Sequence, residues 1–330
     1  MRAWVAGAVT ASALASGMTV GGGVMAAAAA DSFPTRTLTI IVPWPPGASN
    51  DLSARAIANQ MSQVLGQSII VDNVGGAAGS RGSTTGARAA PDGYTLTFGN
   101  TTSHATNLVS FANLPYHPID DFEPIGLVHR STMTVAVNKD TDIHTLDDLI
   151  AYLKANPSTA YATPGVGTPQ HMIGEKLSKT LGLELTHVPY KGGAPALNDL
   201  MAGHVKVSTG GLSNFLGHHR NGDLRIVAVA SAQRHPDLPE VATLSERFPD
   251  IVVSGWGSLH APKGTDPAIV AKLSAAARTA VASDAVAKTL SAAGLEPYSS
   301  SGEELEAQIR ADVAAWQALI AQGVQLQQGP

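Results

Sequence analysis

From Thr37 to Ala230, short β-branched runs alternate with longer Ala- and Leu-rich stretches, and this alternation is the strongest constraint on what the chain can fold into. The run Thr37 to Val42 (TLTIIV) reads as the first strand, closed by the Pro43-Trp44-Pro45-Pro46-Gly47 turn. The stretch Asn50 to Leu65 that follows puts Ile57, Met61, Val64 and Leu65 on one helical stripe, which has to lie against that strand's sheet. Strand followed by helix, repeated, means α/β layers around parallel strands. The same patterns predict strands at Ser68 to Val71, Tyr94 to Phe98, Thr132 to Val137, Tyr161 to Thr163, Thr186 to Val188, Val205 to Val207, Arg225 to Ala230 and Ile251 to Trp256. Predicted helices fall at Ser83 to Ala90, after an N-cap at Thr145, at Pro169 to Leu181 and at Ala194 to Met201. Pro267 to Ala282, Asp284 to Ala293 and Glu303 to Gln322 form a helical C-terminal third.

The first thirty residues are read apart from this pattern. Arg2 is a short basic start, Ala3 to Val24 is apolar or small without charge, and Met25 to Ala30 ends in the small residues that a signal peptidase cuts after. The expectation is an exported protein, cleaved near Ala30 and located in the periplasm. The chain has no cysteine, so it offers neither a disulfide framework nor a lipid-modified cysteine as an anchor. No later apolar stretch is long enough to span a bilayer. The formal net charge of −5 gives no basic footprint for nucleic acid. The length suits two lobes, each able to bury a core. We expect lobe 1 to comprise 31–130 and 235–330 and lobe 2 to comprise 131–234, with more than one chain crossing between them.

Gly47-Ala48-Ser49-Asn50-Asp51 follows a strand and precedes a helix, where free main-chain N–H groups and the positive end of the helix dipole can hold an anion. The plainer reading makes Ser49 an N-cap and Asp51 a favourable first-turn acid. Gly165 to His171 (GVGTPQH) repeats the arrangement, with Thr168 as N-cap and Pro169 at the first helical position, and its glycines let a ligand approach closely. Two such turns suggest a pincer around one carboxylate; capping alone explains either by itself. Pro189 to Pro195 (PYKGGAP) is a third strand-to-helix turn, or an ordinary connection with a solvated Lys191. Asn100 to His104 (NTTSH), including Thr101 and His104, follows a strand end where open sheets bind ligands, or is a simple polar loop. Trp44 and Trp256 are either pocket walls or core.

Pro43-Trp44-Pro45-Pro46-Gly47 followed by Ser49 and Asp51 resembles the opening of the tripartite tricarboxylate transporter solute-binding family, also called the Bug or TctC family. Ala90 to Leu96 (APDGYTL), Gly165 to His171, Val188 to Leu197 (VPYKGGAPAL), Ala261 to Thr265 (APKGT) and Ala293 to Pro297 (AGLEP) resemble its other signatures, in order, over about Pro34 to Gly323. The resemblance implies a type II periplasmic binding-protein fold: two α/β lobes closing on a ligand carboxylate. It assigns Ser49 and Asn50 to the site from lobe 1, and Thr168, Gln170 and His171 from lobe 2, with Gly47, Ala48, Asp51, Gly167 and Pro169 in the same turns. Ala48 stands where the family often has glycine. Gly210-Gly211 stands where relatives often have Asp-Asn, so a polar reader of the distal end of the ligand is lost there. The implied partners are a small carboxylate and integral-membrane transporter subunits, the binding protein being a monomer that needs no cofactor and no metal. A ligand-sensing role that signals to a membrane kinase uses the same closed lobes.

Enzymatic readings are weaker. The sequence has no G-x-S-x-G elbow for a hydrolase and no H-E-x-x-H for a metal, so no catalytic residue is assigned. Gly76, Gly79 and Gly82 are spaced GxxGxxG, which is not the dinucleotide fingerprint.

Overall fold

The computed structural model describes residues 32–326 of the 330-residue chain, and the leader read from Arg2 to Ala30 lies outside them. The strands are β1 (Leu38–Val42), β2 (Ile69–Asn73), β3 (Thr95–Asn100), β4 (Phe122–Asn138), β5 (Ala160–Thr163), β6 (Thr186–Pro189), β7 (Val207–Gly211), β8 (Leu224–Val229), β9 (Ser254–Pro262) and β10 (Glu296–Pro297). The helices are α1 (Ser49–Leu65), α2 (Ser80–Ala87), α3 (Asn107–Ser110), α4 (Leu146–Ala155), α5 (Pro169–Leu181), α6 (Gly193–Met201), α7 (Leu212–Asn221), α8 (Pro267–Val281), α9 (Asp284–Ala292) and α10 (Gly302–Ala321).

The strands run in the order β2-β1-β3-β9-β4-β7-β5-β6, with β8 and β10 also paired to β4. Strands β1, β2 and β3 are parallel, as the βαβ rhythm requires. So are β6, β5 and β7. Strand β4 joins the two sets. Its first part pairs antiparallel with β9, from Phe122↔Pro262 to Thr132↔Ser254. Its last part pairs with β7 and β8. Each half of β4 thus anchors one α/β lobe. The first core gathers Leu38, Ile40, Ile57, Met61, Leu96 and Phe98; the second gathers Val135, Leu149, Tyr161, Ile173 and Trp316.

Helix α10 spans both. Leu305, Ile309 and Val313 pack with Leu127 and Trp256, while Trp316 and Leu319, one and two turns on, belong to the second core. No helix among the described residues is long and apolar enough to cross a membrane.

The expected helix at Pro169 to Leu181 is observed with those bounds, and Thr145 and Asp148 form the reciprocal cap of α4. Three strand expectations need correction. The strand expected at Thr132 to Val137 is only the last third of β4. Its earlier part contains Pro124 and Gly126 and slips register against β9 twice, so it shows no clean alternation. The strand expected at Val205 to Val207 lies instead at Val207–Gly211, because Gly210 and Gly211 pair with Thr134 and Met133. The strand expected at Ile251 to Trp256 starts at Ser254 and runs to Pro262, filling the place between β3 and β4.

The glycines before and in α2 serve packing. A Cβ on Gly82 would stand 2.6 Å from the Val74 carbonyl oxygen and 2.8 Å from the Pro43 Cα, so only glycine lets α2 lie this close to the end of β1.

Candidate functional site

Helix α1 opens without a side-chain cap. Its N-cap is Ala48, not Ser49, which is the first helical residue. Leu52 is the first residue whose N–H closes onto the helix, at 3.0 Å from the Ala48 carbonyl oxygen. The main-chain N–H groups of Ser49, Asn50 and Asp51 make no hydrogen bond with any described residue. Gly47, at φ +82°, turns the chain into this position and donates its N–H to Asp51 Oδ2 at 2.9 Å. Asp51 is buried and also accepts from Arg55 Nε at 3.0 Å and Asn73 Nδ2 at 2.9 Å. Burial opposes its ionisation, but the bonds from Arg55, Gly47 and Asn73 hold its carboxyl below the usual range. Its charge is therefore turned into the turn and neutralised there.

Helix α5 starts differently. Thr168 accepts from the His171 N–H at 3.2 Å and donates to the Gly165 carbonyl oxygen at 2.8 Å, and Pro169 has no N–H to satisfy. His171 faces away from this end: Nδ1 accepts from the Gly167 N–H at 3.2 Å, and the ring stacks on His187 at 3.9 Å inside the second lobe. Its Nε2 lies 3.4 Å from Glu175, which also accepts from the Tyr161 hydroxyl at 2.7 Å. Burial, with His171 beside it, pushes His187 down to about 4. This network props up the start of α5 from beneath.

Between the two helix starts lies a cavity of about 140 Å³. Ser49 and Asn50 line it from α1, Pro169 and Gln170 from α5, and Asn100, Thr101 and Thr102 from the end of β3. His129, Ser131 and Met133 come from β4, Gly255 and Trp256 from β9, and Leu295 closes it. None of these lining residues carries a carboxylate, ammonium or guanidinium. A ligand charge placed here is met by neutral side chains and by helix-start N–H groups, the arrangement that suits an anion. Larger hollows of about 520 and 640 Å³ flank Tyr152 and Lys206. They sit at the opposite ends of β5 and β7 from the helix starts and gather no such donors.

Trp256 forms one wall, with its N–H 3.2 Å from Thr101 Oγ1 and its indole Nε1 donating to Asp312 Oδ2 at 2.7 Å. Burial pushes the Asp312 carboxyl up to about 6, against hydrogen bonds from Trp256 and Gln308 and the charge of Lys176. Between its ordinary value of 3.8 and about 6, the folded chain holds a proton that the unfolded chain releases, so stability falls as pH rises through that window. Asp312→Asn, which still accepts from the indole, is expected to be more stable than the parent at pH 7 by about 1–3 kcal/mol and equal to it at about pH 4. Denaturant melts at both pH values check this, and parallel pH responses would refute it.

Of the residues expected from the sequence, the structure brings Ser49, Asn50, Thr101, Pro169, Gln170 and Trp256 to the cavity. Gly47, Ala48, Asp51, Gly167, Thr168 and His171 shape the two turns and do not line it. His104 lies in the core of the first lobe, stacked on His260 at 4.1 Å, where burial pushes it down to about 3. Gly210 lies in β7, where a Cβ would collide with the Phe215 ring. Trp44 packs on the first core and not on the cavity. Sequence reasoning missed His129, Ser131, Met133, Gly255 and Leu295. No spacing signal leads to His129, Ser131 and Met133, because Pro124, Gly126 and two register slips against β9 break the pattern of β4 before them.

Residues 53–324 match the family model described as the tripartite tricarboxylate transporter family receptor. Protein BugT of Bordetella pertussis is 33% identical over 301 residues, covering 90% of this chain and 92% of that protein. The solved periplasmic binding protein BugD is 32% identical with a TM-score of 0.74, covering 89% of this chain and 99% of that one. MatC of Rhodopseudomonas palustris, solved with bound malate, is 30% identical with a TM-score of 0.72, covering 87% and 100%.

Proposed function

Because the chain belongs to the tripartite tricarboxylate transporter receptor family, we propose that it captures a small carboxylate in the periplasm and delivers it to the membrane subunits of such a transporter. The observation that carries this reading is the uncapped start of α1 facing the start of α5 across a cavity with no charged side chain. A carboxylate there accepts main-chain N–H groups from one lobe while touching the other, so the closed form makes the most contacts and is favoured by the ligand. In this reading lobe 1 is 31–130 with 235–330, lobe 2 is 131–234, the last turns of α10 reach across to pack in the second core, and β4 is one of the crossings about which the lobes close.

In this reading the chain binds and does not catalyse, and the placement of its hydroxyls and imidazoles supports that. The hydroxyls at the cavity, those of Ser49, Thr101, Thr102 and Ser131, make no hydrogen bond to an imidazole among the described residues. The serines that do pair with histidines, Ser53 with His129, Ser103 with His104 and Ser258 with His260, are all fully buried and out of reach of a substrate.

The test is a thermal-shift screen of the mature protein against dicarboxylates, tricarboxylates, aromatic carboxylates and acidic amino acids. A ligand at about 100 times its dissociation constant adds about 2.7 kcal/mol of stability. One member of the panel is expected to raise the melting temperature accordingly. A flat response to every carboxylate would sink the proposal.

A further inference from the structure

His129 lies on the floor of the cavity, one helical turn below Ser49 along α1, where Ser53 meets it. Its ring is fixed on three sides. Ser53 Oγ is 2.8 Å from Nδ1, Phe98 stacks at 6.0 Å between centroids, and Gly257 leaves the space that a Cβ would take from the ring. The remaining nitrogen, Nε2, has no hydrogen-bond partner among the described residues yet is not one of their fully enclosed unpaired atoms, which leaves it open toward the cavity that His129 lines.

The tautomer follows from Ser53. Its hydroxyl is fully buried, and among the described residues His129 Nδ1 is its only hydrogen-bond partner. If Nδ1 carried the proton, the hydroxyl hydrogen would be left buried without a partner. Donation from Ser53 to Nδ1 leaves the proton on Nε2, pointing into the cavity. Burial also pushes His129 down to about 4, so the ring is neutral at physiological pH.

Resting on the carboxylate-capture reading, we infer that His129 is a neutral N–H donor of the ligand site, oriented by Ser53, which selects carboxylates bearing a hydroxyl or oxo oxygen over amino acids of the same skeleton. The oxygen accepts from Nε2–H. An ammonium in its place meets a donor, and no carboxylate among the lining residues pairs with its charge.

Malate and aspartate differ only in this group and serve as the probes. Wild-type protein is expected to bind malate at least about tenfold more tightly than aspartate. His129→Phe is expected to weaken malate by about 10- to 100-fold, and His129→Gln, whose amide nitrogen reaches the same place, to retain most of the affinity. Side-chain nitrogen spectra of the free, isotope-labelled protein are expected to show His129 protonated at Nε2 alone. Spectra showing the proton on Nδ1, equal affinity for the two acids, or malate binding untouched by His129→Phe would each overturn the inference. If neither acid shifts the wild-type melting temperature, the carboxylate reading is what suffers, because the nitrogen spectra report the tautomer without any ligand.

Discussion

Trp316→Ala is expected to lower stability by about 3–5 kcal/mol, the range for truncating a fully buried aromatic side chain. Trp316 has no solvent exposure and lies in the second core with Val135, Tyr161 and Ile173. It sits on α10, whose earlier turns pack with Trp256 and Leu127 on the other lobe. Its ring also touches His171, at 5.6 Å between centroids, and His171 holds the Gly167 turn that begins α5. Truncation thus opens a void and loosens the support of one side of the cavity. Trp316→Phe is the control: the indole Nε1 has no partner among the described residues, so removing it sacrifices none of their bonds, and the loss is expected to stay below about 1.5 kcal/mol. Chemical denaturation followed by circular dichroism measures both. A loss under about 1 kcal/mol for the alanine variant would mean that α10 does not tie the lobes together.

Gly210→Asp is expected to destabilise by about 4 kcal/mol or more, combining overpacking with burial of an unpaired charge. The Gly210-Gly211 pair first suggests a slot from which a polar side chain has been deleted. Packing gives a different account. A Cβ on Gly210 would run into the ring of Phe215, which comes up from α7 and is buried with Ala162, Leu200 and Ile226. The aromatic ring therefore occupies the direction a side chain would take. Phe215→Ala alone is expected to cost about 3–5 kcal/mol, but the double variant should be destabilised by clearly less than the sum, since each change makes room for the other. Strict additivity would show that the two positions do not compete. Gly211→Asn is the contrast: at φ −72° it is the N-cap of α7, only the Ser213 hydroxyl lies near, and a change within about 0.5 kcal/mol is expected.

The parts of the site that were legible in the sequence are those built from local chemistry. Thr168 followed by Pro169 specifies a helix start wherever it occurs, because the cap and the fixed φ act within four residues. Thr145 with Asp148 does the same for α4. Gly47 before a helical stripe marks the other jaw. The local signal failed at α1: Ser49, which carries a capping hydroxyl, entered the helix, and Ala48, which has none, took the cap position, leaving three N–H groups open. No rule of spacing decides that. The sharp Gly47 turn and the Asp51 latch do, and the latch needs Asn73 from the neighbouring strand.

Alternation, caps and turns therefore determined the α/β class, most helices and the two opposed turns, since each depends on residues within one element. Tertiary structure alone decided which of those turn residues reach the cavity, because His104 and His171 are drawn into cores by ring stacking against His260 and His187, each from a distant segment. It also decided the floor. β4 is a strand across both lobes only because β9 pairs with its irregular half, and that pairing puts His129, Ser131 and Met133 under the helix starts. Pairing between segments more than a hundred residues apart leaves no period in either one, so the residues it delivers to the site are invisible until the sheet is assembled.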